Sequence, residues 1–161
     1  MQQIKIKYHE VDGKQTPFLK QVKDGDYIDF YTAEDVTIRN FESKMINLGV
    51  SMEVPEGYYC EAAPRSSTFK RHGLIMTNSY AIIDHTYNGD SDIWRMPVYK
   101  LPKVDGFISL IKEVFIRPKY VIPAGTRLCQ FRLVKSLGDG EFKAVDSLNN
   151  DARGGFGSTG V

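Results

Sequence analysis

The sequence predicts an all-β fold, a sandwich, jelly roll or small barrel, on three observations. Apolar residues recur with period two in many short runs, turn formers separate the runs at close spacing, and helical periodicity is almost absent. Strands of this kind bury one face each, so they must pack against one another or close on themselves.

Ile4, Ile6 and Tyr8 alternate with Lys5 and Lys7, so the chain opens as a strand with one buried face. Further strands are predicted at 27–31, 36–38, 44–48, 58–63, 80–84, 94–99, 115–122, 128–133 and 142–145. The breaks fall at Asp24-Gly25-Asp26, Pro55-Glu56-Gly57, Asn88-Gly89-Asp90 and Gly138-Asp139-Gly140, all turn-forming sequences. One short helix is expected around 66–71. Residues 101–118 contain Phe107-Ile108-Ser109-Leu110-Ile111-Lys112-Glu113-Val114-Phe115, whose apolar pattern fits neither period, and they read as an insertion, an extra hairpin or an ordered loop. Residues 150–161 are mostly glycine and small polar residues and cannot bury enough surface to order themselves. The expected organisation is one β domain over 1–149 and a flexible C-terminal lid over 150–161.

With 161 residues, 42% of them hydrophobic, the chain has material for one core and little for a second. A formal charge of +1, with both signs spread along the length, offers no basic face for polymeric nucleic acid. Cys60 and Cys129 lie in apolar company without zinc-ligand spacing, so free buried thiols are expected. No window approaches the ~18 apolar residues of a membrane span, and a soluble, cytoplasmic protein is expected.

Three segments could carry chemistry. Ala63-Pro64-Arg65-Ser66-Ser67-Thr68 sets a guanidinium and two hydroxyls at the start of the predicted helix, where free N–H groups attract anions; the ordinary alternative is a serine N-cap beside a surface arginine. Residues 78–89 read as a hairpin whose apolar arm ends in Asp84, either a general base or a turn aspartate bonding its own backbone. In the tail, Arg153, Phe156, Ser158 and Thr159 among glycines have the makings of an anion-binding lid, or of a plain disordered end. His9, His72 and His85 receive no role.

In this order and spacing the segments resemble the five motifs of the trimeric dUTPase family (deoxyuridine 5′-triphosphate nucleotidohydrolases), from about Tyr27 to Val161. The first is Tyr27-Ile28-Asp29-Phe30-Tyr31-Thr32-Ala33-Glu34-Asp35, which keeps the aspartate and replaces the glycine and tyrosine before it. The second is Pro64-Arg65-Ser66-Ser67, and the third runs from Ala81-Ile82-Ile83-Asp84 through Tyr87 and Gly89. The fourth is Gly125-Thr126-Arg127-Leu128-Cys129-Gln130-Phe131, with Thr126 where aspartate is usual. The fifth is Gly154-Gly155-Phe156-Gly157-Ser158-Thr159-Gly160, with Arg153 closer to Phe156 than in the common arrangement.

The resemblance implies a jelly-roll or distorted β-barrel homotrimer in which each tail closes over a neighbouring site. It implies hydrolysis of dUTP to dUMP and pyrophosphate, with Asp84 activating the water that attacks the α-phosphorus. Arg65, Ser66, Ser67 and Gln130 match phosphate contacts, Asn78 and Ile83 belong to the segment around uracil, and Tyr87 lies under the deoxyribose. Arg153, Phe156, Ser158 and Thr159 belong to the lid, with Phe156 on uracil. Mg²⁺ is the implied cofactor, held mainly by substrate phosphates and waters with Asp29 close by, so no cluster of protein ligands is expected. The rival readings are a dCTP deaminase-like enzyme of the same fold, which uses a glutamate base, and a nucleotide-controlled regulator whose 101–118 insertion meets a protein partner.

Overall fold

The computed structural model describes residues 4–20, 25–138 and 143–150. Thirteen strands dominate them: β1 (Lys5–Tyr8), β2 (Glu10–Val11), β3 (Lys14–Gln15), β4 (Ile28–Tyr31), β5 (Val36–Arg39), β6 (Ser43–Asn47), β7 (Val50–Glu53), β8 (Tyr58–Pro64), β9 (Leu74–Met76), β10 (Ala81–Asp84), β11 (Arg95–Lys100), β12 (Lys119–Ile122) and β13 (Arg127–Lys135). Helix α1 (Ser66–His72) follows β8, and α2 (Phe107–Leu110) runs on into a wide π-helical turn over Ile111–Ile116. The architecture is all-β, as predicted.

The largest sheet among the described residues has the order β10-β8-β13-β4, all antiparallel. A second sheet orders β6-β11-β9, and β1-β7, β12-β5 and β2-β3 form pairs. Alternation places Val36 and Ile38 of β5 inside, with Met96 and Val98 of β11. At the centre Phe30 stacks on Phe131 at 4.2 Å between centroids, and Trp94 meets both rings edge-on. Such aromatic clusters add to plain area burial through their ring quadrupoles.

The insertion is helical, neither hairpin nor loop. Its inward residue is Glu113, which accepts hydrogen bonds from the Asn40 amide and the Tyr120 hydroxyl, while Phe107, Ile108, Phe115 and Ile116 face outward. Hydrophobic periodicity fails here because the buried side chain is charged and the apolar ones are exposed. The turn ends at Arg117, in the left-handed region at φ 52°, whose Nε and Nη2 donate to the Asn40 carbonyl at 2.8 and 2.6 Å. The strand expected at 115–122 therefore starts at Lys119. Residues 143–145 form no strand, and Phe142 lies outside the described residues. The strands β2, β3 and β9 carry too few residues to show a period, and β7, buried over its first three residues, does not alternate; none of the four was predicted.

Candidate active site

The β4, β13 and β8 strands set Asp29, Gln130 and Ala63 in one transverse row. Asp29 is buried, its side chain 7% exposed, and its carboxylate lies between two guanidiniums: Arg65 Nε at 2.9 Å and Arg127 Nη1 at 3.1 Å. An isolated carboxylate there would be costly to desolvate, and two charge-assisted bonds offset that cost. The cluster keeps an excess positive charge beside half-buried Gln130 and Ser67.

Leu128 sits at a register irregularity of β13 between Arg127 and Cys129, and its carbonyl accepts from the Arg65 N–H at 3.0 Å and the Thr68 hydroxyl at 2.5 Å. These bonds tie the start of α1 to β13. Arg65, in extended conformation, holds the N-cap position, and no side chain caps the helix, so the serine-cap alternative is not what forms. Ser66 and Ser67 open the first turn, where N–H groups have no intrahelical acceptor. The helix ends at Gly73, left-handed at φ 63°.

Asp84 ends β10 and is exposed. Its Oδ1 accepts from Thr86 N–H at 2.8 Å and Thr86 Oγ at 2.5 Å. Chiefly the Thr86 hydroxyl, then its N–H, holds this carboxyl below the usual range. The Tyr87 N–H also helps to lower it. Asp84 thus makes the turn while its carboxylate stays exposed. Asp84 lines a cleft of about 530 Å³ together with Tyr58, Tyr59, Ile82, Thr86 and Ser136 among others.

Residues 78–89 are not a hairpin. Among the described residues β10 pairs only with β8, and after Asp84 the Thr86 turn sends the chain away through a loop closed by Gly89 N–H to Asp92 Oδ2 at 2.8 Å. Asn78 is exposed in the turn before β10, where Ser79 has φ 55°; Ile83 is half-buried against the core; and Tyr87 is 44% exposed, its hydroxyl donating to the Ile93 carbonyl at 3.4 Å. Arg153, Phe156, Ser158 and Thr159 lie outside the described residues.

Register separates the two halves of the predicted site. Asp84 pairs with Tyr59, at the other end of β8 from Pro64 and Arg65, so about five residues at ~3.4 Å each, roughly 17 Å, lie between them. Sequence reasoning did not single out Arg127 or Thr86. The first is legible only once β13 is known to pair with β4, the second as a hydroxyl two residues after an aspartate. Among the described residues no group of three or more His, Cys, Asp or Glu side chains could hold a metal.

Residues 20–96 match the family model for dUTPase. The chain is 44% identical over 159 residues to the SPbeta prophage-derived deoxyuridine 5′-triphosphate nucleotidohydrolase of Bacillus subtilis (strain 168), covering 99% of each. In structure it resembles the Staphylococcus bacteriophage 80alpha dUTPase with dUPNHPP, described as controlling transfer of virulence genes by a proto-oncogenic G protein-like mechanism (TM-score 0.72, 20% identity, 100% of both chains). It also resembles the dUTPase of phage phi11 of S. aureus, described as coordinating a structural Mg(II) ion (TM-score 0.70, 18% identity, 91% of this chain and 99% of that one). At 44% identity along almost its whole length, with the Asp29, Arg65 and Asp84 segments in family order, the chain belongs to the dUTPase family.

Proposed function

We propose that this protein hydrolyses dUTP to dUMP and pyrophosphate, limiting uracil in DNA and supplying dUMP for dTMP synthesis. The observation that carries the reading is Asp84, an exposed carboxylate oriented by Thr86 at the wall of a cleft, in a chain of this family. A carboxylate so placed can orient a water and take its proton as that water attacks the α-phosphorus.

Arg65, Ser66, Ser67 and Gln130 form the phosphate end, with Arg127 adding positive charge. Asn78, Ile83 and Tyr87 form the base and sugar end, and the tail residues Arg153, Phe156, Ser158 and Thr159 close over the bound nucleotide. Because roughly 17 Å of β8 separates the two ends in one copy, the working site takes Asp84 from one chain and Arg65 from another, which the homotrimer supplies. The donor set fits Mg²⁺ bound mainly by phosphates and waters: both Asp29 oxygens engage guanidiniums and retain lone pairs for water. When bound, the ion neutralises charge on the departing pyrophosphate.

A second reading, an added regulatory role through a protein partner, is favoured by the insertion, where Phe107, Ile108, Phe115 and Ile116 are 75%, 83%, 74% and 69% exposed. The primary test measures pyrophosphate release from dUTP, dCTP, dTTP and UTP with Mg²⁺. Release from dUTP alone is expected, falling about 10²–10⁴-fold in Asp84→Asn with affinity for dUpNHpp retained. Release from dCTP, or full activity in Asp84→Asn, overturns the assignment.

A further inference from the structure

A second cationic cleft lies away from the site described above. It encloses about 380 Å³ between the last turn of α1, the end of β11, the π-helical insertion and β12. Arg71 and His72 come from α1, Lys100 from β11 and Lys103 from the segment after it, with Glu113 and Tyr120 opposite.

Lys100 is the unusual member. It continues the inward row of Met96 and Val98 on β11, a row that strand alternation reserves for the core, and is only 3% exposed. Its ammonium has three donors. One reaches the Leu101 carbonyl at 3.1 Å, and the group sits 4.3 Å from the centre of the Tyr120 ring. No carboxylate forms an ion pair with it among the described residues. Glu113 attracts Lys100 through space without forming an ion pair, and its carboxylate accepts from Asn40 Nδ2 at 2.8 Å and from the Tyr120 hydroxyl, so one negative charge faces the three cations Arg71, Lys100 and Lys103. Lys103 is partly satisfied by the Lys70 carbonyl at the end of α1. His72 is held below its ordinary range by burial first and then by Lys103, Arg71 and Lys100, so the neighbouring cations repel one another.

A buried ammonium short of partners, facing a cleft rimmed by two further cations and a histidine, is a charge arrangement that an anion completes. We propose that this cleft is a second oxyanion site, taking a phosphate group, with Lys100 as its buried anchor and Arg71, His72 and Lys103 as its rim. It uses none of Asp29, Arg65, Ser66, Gln130 or Asp84. The ligand chemistry is that of a compact tetrahedral oxyanion, free or carried by a nucleotide.

The test is calorimetric titration of the wild-type protein saturated with dUpNHpp, so that the active site is filled, using inorganic phosphate, pyrophosphate and dAMP as separate probes. One added anion per chain is expected. Binding of phosphate or pyrophosphate alone identifies a free anion, and binding of dAMP alone identifies a nucleotide-borne phosphate. Lys100→Met, which extends the apolar row without changing its length much, should fold and weaken the binding at least tenfold, and Arg71→Ala should weaken it while leaving dUTP turnover unchanged. The proposal is overturned if no probe binds, or if binding is unchanged in both variants. A wild type that binds nothing, together with a Lys100→Met chain that fails to assemble, overturns it in favour of a contact between copies.

Discussion

The geometry of Asp84 depends on one neighbour. Thr86 donates twice to the same oxygen, fixing the turn and stabilising the ionised carboxylate. A general base must be deprotonated, so activity falls as pH drops through its pKa, and a depressed pKa keeps that acid limb low. Thr86→Val removes the hydroxyl donor, so the acid limb of kcat/KM should move to higher pH, while turnover well above it changes little. A pH profile of both proteins checks this; an unmoved acid limb would separate Thr86 from the chemistry. The two thiols are silent by contrast: burial, helped at Cys60 by Cys129 and Glu61 and at Cys129 by Asp29, pushes both up to about 12, so neither is a nucleophile at neutral pH.

At the scale of elements, connections decide where the strands go. Between β6 and β7, Gly49 has φ 65°, and a Cβ there would overlap the Thr16 hydroxyl and come within 2.9 Å of the Ala33 Cβ. Gly49→Ala therefore meets both a strained backbone and a clash, and should destabilise the fold by about 1–3 kcal/mol, read by denaturant unfolding. The strands with clear alternation were legible: β5 and β11 fall within a residue of their predicted bounds, and the short helix lies where its Arg-Ser-Ser segment placed it. The π-helical insertion was not legible, since its pattern inverts the usual rule of apolar inside and charged outside.

At the scale of the whole molecule, the proposed site draws on more than one chain. If Asp84 and Arg65 of different chains share one site, two variants that are each inactive should restore one another. Co-refolded Asp84→Asn and Arg65→Ala chains should regain a substantial fraction of wild-type turnover, because some mixed sites receive both native residues. No recovery in demonstrably mixed oligomers would place the entire site within one chain. Removing residues 151–161 should leave oligomer and fold intact while cutting turnover, as expected of a lid and not of a core element; sedimentation and kinetics together test it. Among the described residues no helix is long and apolar enough to cross a membrane.

Sequence alone determined the all-β class, the order of the chemistry-bearing segments and the family they resemble, because period-two burial and short motifs are local properties of the chain. It also marked Asp84 and Arg65 without showing how they relate. Only the tertiary structure decided that Arg127 joins Arg65 on buried Asp29, that Lys100 points inward beneath the insertion, and that Asp84 and Arg65 stand at opposite ends of β8. Each of these depends on strand partners and registers set by long-range packing, and a one-residue slip in register would turn every side chain to the other face without changing a letter of the sequence.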